Sequence, residues 1–311
     1  MPYGNVITRS DAQALIPEDV SQAFLAGAEN ESLALSAFTR IPVAQSQTRL
    51  PILSALPLAY WVNGDTGLKQ TTEVNWANKY LNIEELAVIV PIPEAVLDDA
   101  SFDVWGSVKP LLENAVARAV DSAVVFGTNA PGSFPTAIAP AAAAAGNTYT
   151  RTTNNAAAGG IAEDFNMLYA KVEEDGYSPD ALALKVNYKG YLRGARSNTG
   201  EATGEVTTKE VHGVTPTYPM RGLWPSSSGS ATAVALQSDQ FVVGVRQDFT
   251  YKVLDQAVIQ DNNGDIVYNL AQQDMVALRV TFRMGWQVAN PINYDQAVEA
   301  SRYPAGVMLE P

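Results

Sequence analysis

The chain has 311 residues, 47% of them hydrophobic and 17% charged, with a formal net charge of −13, a single histidine and no cysteine. That length supports one large domain or two lobes with a sizeable core. The missing cysteines exclude disulfides, zinc–thiolate and iron–sulfur sites and thiol catalysis, and the acidic balance without a basic stripe argues against sequence-specific nucleic-acid binding.

A soluble chain usually carries about a quarter charged residues, so the shortfall fits a surface partly buried between subunits. The N-terminus has no apolar signal core and no window reaches the length of a membrane span.

Residues 1–16 are polar and read as an arm. Pro17 opens a predicted helix over Pro17–Ala28, with Glu18 and Asp19 in its first turn. Val20, Phe24 and Leu25 give it a short apolar face, and Leu33, Leu35 and Phe38 follow. Such a helix either clasps a partner or docks on its own domain.

Leu50–Ile92 reads as a long two-armed hairpin, with arms Leu50–Val62 and Lys79–Ile92 rich in Leu, Ile, Val, Tyr and Trp. The segment between them is polar, with Asn63-Gly64 as a turn signal. A two-stranded ribbon of that length is marginal alone in water. Trp61, Leu68, Val74 and Trp76 lie far from any core the ribbon could supply. They pack either on a neighbouring copy of the chain or back on their own domain.

Ser101–Gly127 predicts one amphipathic helix. Val104, Val108, Leu111, Leu112, Ala115, Val116, Ala119, Val120, Ala123 and Val124 recur at spacings of three and four. Ser101 or Asp103 is placed to cap its start and Gly127 its end. Pro110 predicts a kink near Gly106–Lys109 or a later start.

Thr128–Gly160, rich in Gly, Pro, Ala, Asn and Thr, reads as a boundary. Its Ala141–Ala145 run reads as a loop or short helix end. Beyond it come a helix over Ile161–Asp175, a strand over Ala181–Val186, a brief helix over Tyr188–Ser197 and a polar hairpin or loop over Thr199–Thr217. Strands follow at Ala231–Leu236, Phe241–Val245 and Phe249–Leu254. Asp261–Asp265 is a turn with Asn263-Gly264 as its hairpin signal. A long strand over Met275–Val288 breaks at Gly285. The whole is an α+β pattern.

Chemistry finds little support. His212 would have to serve a serine triad alone, and no G-x-S-x-G elbow accompanies it. The Gly194–Gly200 stretch has the wrong spacing for a phosphate-binding loop, and the DNNGD turn does not match a calcium loop. No catalytic, cofactor or metal site is expected, and no enzyme activity.

The order of segments resembles a family. LIPEDV (Leu15–Val20), TRLPIL (Thr48–Leu53), AYWVNGD (Ala59–Asp65), ELAVIVPIPEAVLDDASFDV (Glu85–Val104) and FGTNAPGSFPTAI (Phe126–Ile138) are followed by VHGVTPTYP (Val211–Pro219), FVVGVRQDFTYKVLDQA (Phe241–Ala257) and DMVALRVTFRMGWQVANPINY (Asp274–Tyr294). This ordered set, spanning nearly the whole chain, resembles the major capsid proteins of tailed double-stranded DNA bacteriophages.

The resemblance implies the tailed-phage major capsid fold. Residues 1–45 would be an N-terminal arm and 46–92 an extended loop reaching over a neighbour. Residues 93–160 would form a peripheral domain with its spine helix at 101–127. Residues 161–271 would form an axial domain, and 272–311 would return to the peripheral domain. It implies hexamers and pentamers in an icosahedral shell around the genome, in a virion assembled in the host cytoplasm. The implied partners are a portal protein at one vertex, a separate scaffolding protein and possible decoration proteins, with DNA enclosed without sequence-specific binding. Met1 favours a separate scaffold over a cleaved extension.

The expected inter-subunit contacts are Trp61, Asp65, Leu68, Lys69 and Trp76 on the hairpin and Val20 and Phe24 on the arm. Some relatives join a loop lysine to a neighbour's asparagine. Lys69 and Asn269 are the candidate pair, though the nearby acid stands closer to the asparagine than that pattern requires. An encapsulin-type nanocompartment shell with protein cargo is the alternative reading.

Overall fold

A computed structural model describes residues 32–62, 67–95, 104–152, 159–196, 204, 206–219, 222–261 and 263–311. The predicted helix at Pro17–Ala28 and the caps Ser101 and Asp103 lie outside them.

Helix α1, Leu33–Ala37, opens the described chain and buries Leu33, Ala34 and Leu35. Strands β1 (Thr39–Pro42), β2 (Gln47–Ala55), β3 (Asn75–Asn82) and β4 (Glu84–Pro93) follow. The second predicted arm, Lys79–Ile92, is therefore two strands. Asn75–Asn82 pairs antiparallel with Gln47–Ala55 as the ribbon. After Ile83 the chain leaves for a different sheet, where Glu84–Pro93 pairs with β12, Met275–Val288.

That sheet has four strands in the order β1, β9 (Phe241–Leu254), β12, β4. β9 is one strand rather than the predicted two, with irregular register against β12 around Gln247. β12 also runs unbroken through Gly285; its register shifts fall at Thr281–Met284 instead. Both strands are rich in β-branched and aromatic residues, which suit a pleated surface.

The spine, α2 (Val104–Asp121), continues as a π-turn over Ser122–Phe126. Leu112, Val116, Val120 and Val124 repeat every fourth residue and are buried in one cluster with Val280, Phe282, Met284 and Trp286 of β12. The buried stripe is narrower than the sequence reading. Leu111 is 66% exposed and Ala115 is exposed, because a helix on a sheet buries only about a third of its circumference. Gly127 ends the helix at φ 74, its N–H donating to Ala123 O while Thr128 N donates to Ser122 O.

The predicted boundary carries structure of its own. α3, Ile138–Ala145, buries Ile138 and Ala142 completely, and β5, Thr148–Thr150, joins the second sheet. That sheet runs β5, β13 (Ala305–Leu309), β8 (Ala231–Leu236), β6 (Ala181–Leu184), β7 (Pro216–Thr217). β8 is buried throughout and its side chains alternate between two cores. Val234 and Leu236 face the cluster shared with α2, while Ala233 and Ala235 face α4, Gly160–Glu173. Around α4, Phe165, Leu168 and Val172 pack with Leu182, Leu184, Tyr188 and Met308. The chain thus returns to the four-stranded sheet through β12 and then ends within the five-stranded one.

Candidate assembly surface

The β2–β3 ribbon pairs from Gln47↔Asn82 to Leu53↔Trp76, with a register shift before Ala55↔Asn75. Beyond these strands both arms run on without a ladder, to Val62 on one side and back from Gly67 on the other. Trp61 is fully exposed, Leu68 is 92% exposed and Trp76 64%. Leu58, Tyr60 and Tyr80 are also exposed. Single exposed apolar residues are ordinary, but a run of them along one ribbon marks an interaction surface. Burying the two tryptophans and Leu68 would be worth about 2–5 kcal/mol apiece before ordering costs.

The ribbon's root is fixed firmly. Gly285 of β12 and Gly244 of β9 face each other across the sheet. Together they leave a bare spot on which Leu81, wholly buried, is seated. A Cβ on Gly244 would stand 2.8 Å from Leu81 Cδ2, and one on Gly285 would stand 2.8 Å from the Asn82 carbonyl carbon and nearer still to its oxygen. Glycine is needed at both positions for close backbone approach rather than for a special φ.

Farther out, the ribbon touches residues 287–299. Ile292 N donates to Leu53 O at 3.1 Å, and Tyr294 OH to Pro57 O at 2.8 Å. Gln287 Nε2 donates to Tyr80 O at 2.9 Å, and Lys79 Nζ lies 3.0 Å from Glu299 Oε1. Most of these groups are half-buried or exposed, so each bond contributes about 0.5–1.5 kcal/mol and the ion pair less than about 1.

The other expected residues are placed unevenly. Asp65, Val20 and Phe24 lie outside the described residues. Lys69 is exposed on the same arm as Leu68. Asn269 ends β11 (Ile266–Asn269), which pairs with β10 (Val258–Gln260) in a second, separate ribbon. Its side chain donates to Gln272 Oε1 at 2.7 Å and its N–H to Gln273 Oε1. Both of these hydrogen bonds run to side-chain amides rather than to an acid.

His212 sits in a turn at φ 47, its Nε2 2.9 Å from Ala162 O and its ring edge-on to Tyr169. These contacts tie the ring to the first turn and the face of α4. Among the described residues no three of His, Asp and Glu gather to hold a metal ion.

The sequence reading missed Asp121, which ties the start of the described chain to the spine. Its carboxylate accepts from Ser32 Oγ at 2.8 Å, Leu33 N at 3.0 Å and Ala34 N at 3.1 Å. Burial pushes its carboxyl from an ordinary 3.8 up to about 6, against the opposing pull of these three donors. The sequence signal was an acid set between Val120 and Val124 on the apolar stripe of the predicted spine, three residues after Arg118.

The geometry agrees with comparisons to known proteins. Residues 12–177 match the model of the phage capsid family. The chain is 24% identical over 267 residues to the major capsid protein of Staphylococcus phage 80alpha, covering 84% of this chain and 78% of that one. A solved chain from Mycobacterium phage Cain is similar at a TM-score of 0.79 and 32% identity, covering 99% of each chain. One from Microbacterium phage Oxtober96 is similar at 0.78 and 32%, covering 99% of this chain and 100% of that one. The α+β architecture, with its projecting ribbon and long helix, is the tailed-phage capsid fold, and this chain belongs to the phage capsid family.

Proposed function

We propose that the chain is a major capsid protein, a structural subunit that tiles with copies of itself into a closed shell around phage DNA, and not an enzyme. The observation that carries this is the ribbon: a firmly rooted projection whose largest apolar side chains, Trp61, Leu68 and Trp76, stand mostly in solvent. Such a surface is completed by a second copy, and a rooted projection on one side of a subunit makes a head-to-tail contact that closes into rings.

In this reading Trp61, Leu68 and Trp76 are the principal contacts. Lys69 and Asp65 flank them, and Val20 and Phe24 of the arm add a second clasp. Residues 1–45 act as the arm and 46–82 as the extended loop. The body around α2 and the four-stranded sheet is the peripheral domain, and much of 161–271 the axial one. Hexamers and pentamers are the natural rings, with portal, scaffolding and decoration proteins as further partners. Hairpin packing and arm exchange hold the shell rather than a Lys69–Asn269 bond. The net charge of −13 suits a container that must not adhere to the DNA within.

Sedimentation and negative-stain microscopy of the full-length chain test this. Large closed particles are expected, and DNA content rather than protein cargo separates a virus shell from a nanocompartment. A monodisperse small monomer under every assembly condition would overturn the reading.

A further inference from the structure

Two kinds of contact hold the ribbon, and they differ in strength. At its root, Leu81 is buried between Val43 and the bare glycine patch, where no side chain could be added. Farther out, the ribbon meets Gln287 at Tyr80 and then the segment 290–299, through Ile292, Tyr294 and Glu299. Tyr294 and Pro57 are exposed, and so is the Glu299 side chain.

From behind, that same segment is anchored firmly. The buried guanidinium of Arg302 donates to Pro291 O at 3.0 Å and Ala297 O at 2.8 Å, with longer bonds to Asn290 O and Gln296 O. Tyr177 OH donates to Asn290 Oδ1 at 2.7 Å, and Asn293 Nδ2 to Asp175 O at 2.6 Å. Gly176 lets the segment come close: a Cβ there would stand 2.6 Å from Asp295 Oδ2.

A strap fixed to the body on one side and lightly attached to a lever on the other is a latch. We propose that residues 290–299, anchored by Arg302, form a releasable latch that holds the ribbon at one pitch, pivoting at Leu81 and Asn82, and that its release is required for shell closure. This rests on the shell reading above. Copies in rings of different size meet their neighbours at different angles, and a ribbon that could not change pitch would fit only one of them.

The chain has no native cysteine, so a single engineered pair reports cleanly. The Ile292 N to Leu53 O bond brings those two backbones to roughly the separation of a bonded strand pair, about 5.5 Å, within disulfide range. The full-length Leu53→Cys/Ile292→Cys chain is oxidised as subunits. It is then placed in the conditions under which the parent forms shells, with and without reductant. Loss of closed shells when oxidised, and their return on reduction, is expected. Normal shells from chains whose thiols are fully consumed would overturn the latch while leaving the shell reading intact.

The opposite variant, Tyr294→Phe/Glu299→Gln, removes two of the three attachments made by the segment 290–299. It is expected to melt close to the parent yet give a broader distribution of particle sizes. An unchanged distribution would also overturn the latch. Failure of the parent and the reduced chain alike to form shells would instead overturn the function on which it rests.

Discussion

Gly285→Ala tests whether the ribbon's root sets its reach. The added methyl would stand 2.8 Å from the Asn82 carbonyl carbon and 3.1 Å from Leu81 Cδ2. Carbon pairs prefer about 3.5–4.0 Å, so the Asn82 peptide must retreat by about 1 Å. Leu81 cannot absorb the strain, since it is already buried against Gly244. Overpacking against backbone costs about 1–3 kcal/mol, which for a chain of this size lowers the melting temperature by roughly 2–5 °C.

The geometric effect is larger. A shift of about 1 Å across the ~10 Å of strand from Lys79 to Asn82 tilts the ribbon by roughly 6°. Leu68 lies about 14 residues from the root, some 45 Å if extended, so its tip moves by about 5 Å. Packed interfaces do not tolerate such an offset. Differential scanning calorimetry of subunits and negative-stain counts of shells read the two effects separately. Gly190→Ala, where a Cβ meets nothing within 4 Å, is the control. A Gly285→Ala chain that melts with the parent and yields normal shells would refute the reasoning.

Trp61→Ser and Leu68→Ser should leave the subunit's melting temperature within about 2 °C, since both side chains are exposed. Either should sharply reduce assembly in sedimentation velocity. Asp121 should make stability depend on pH in an unusual direction. Its folded pKa of about 6 exceeds the ordinary 3.8, so the folded state binds the proton more tightly. Relative to Asp121→Asn, the parent should gain up to about 3 kcal/mol as pH falls from 7 to below 4, read by urea unfolding. A constant difference would mean that the three donors balance desolvation, and one of opposite sign that they outweigh it; either contradicts the raised pKa. Shells dissolved in hot detergent should run as single chains on a denaturing gel, and Lys69→Arg should assemble normally; a ladder abolished by that change would establish the covalent bond instead.

The spine helix was legible because its buried residues keep a period that no strand can imitate. The ribbon was legible as an apolar excess without a core. Its true second arm was not, because the crossing between sheets turns on Ile83 alone, with no Gly or Pro to mark it. β9 looked divided because Arg246, Gln247 and Asp248 interrupt its apolar run, whereas pairing with β12 before, at and after that interruption keeps the strand continuous. β13 is five residues long and takes its place from β5 and β8, about seventy residues or more away. The latch segment has no apolar period at all. Its form comes from Arg302 and from contacts with Asp175 and Tyr177, which only the folded chain brings together.

Electron cryomicroscopy of assembled particles is the most direct check on the ribbon as the contact between copies. Trp61, Leu68 and Trp76 of each subunit should be buried against a neighbouring subunit, with the ribbon rooted at Leu81 as in the single chain. Particles in which those three side chains face solvent, or lie back on their own subunit, would contradict it.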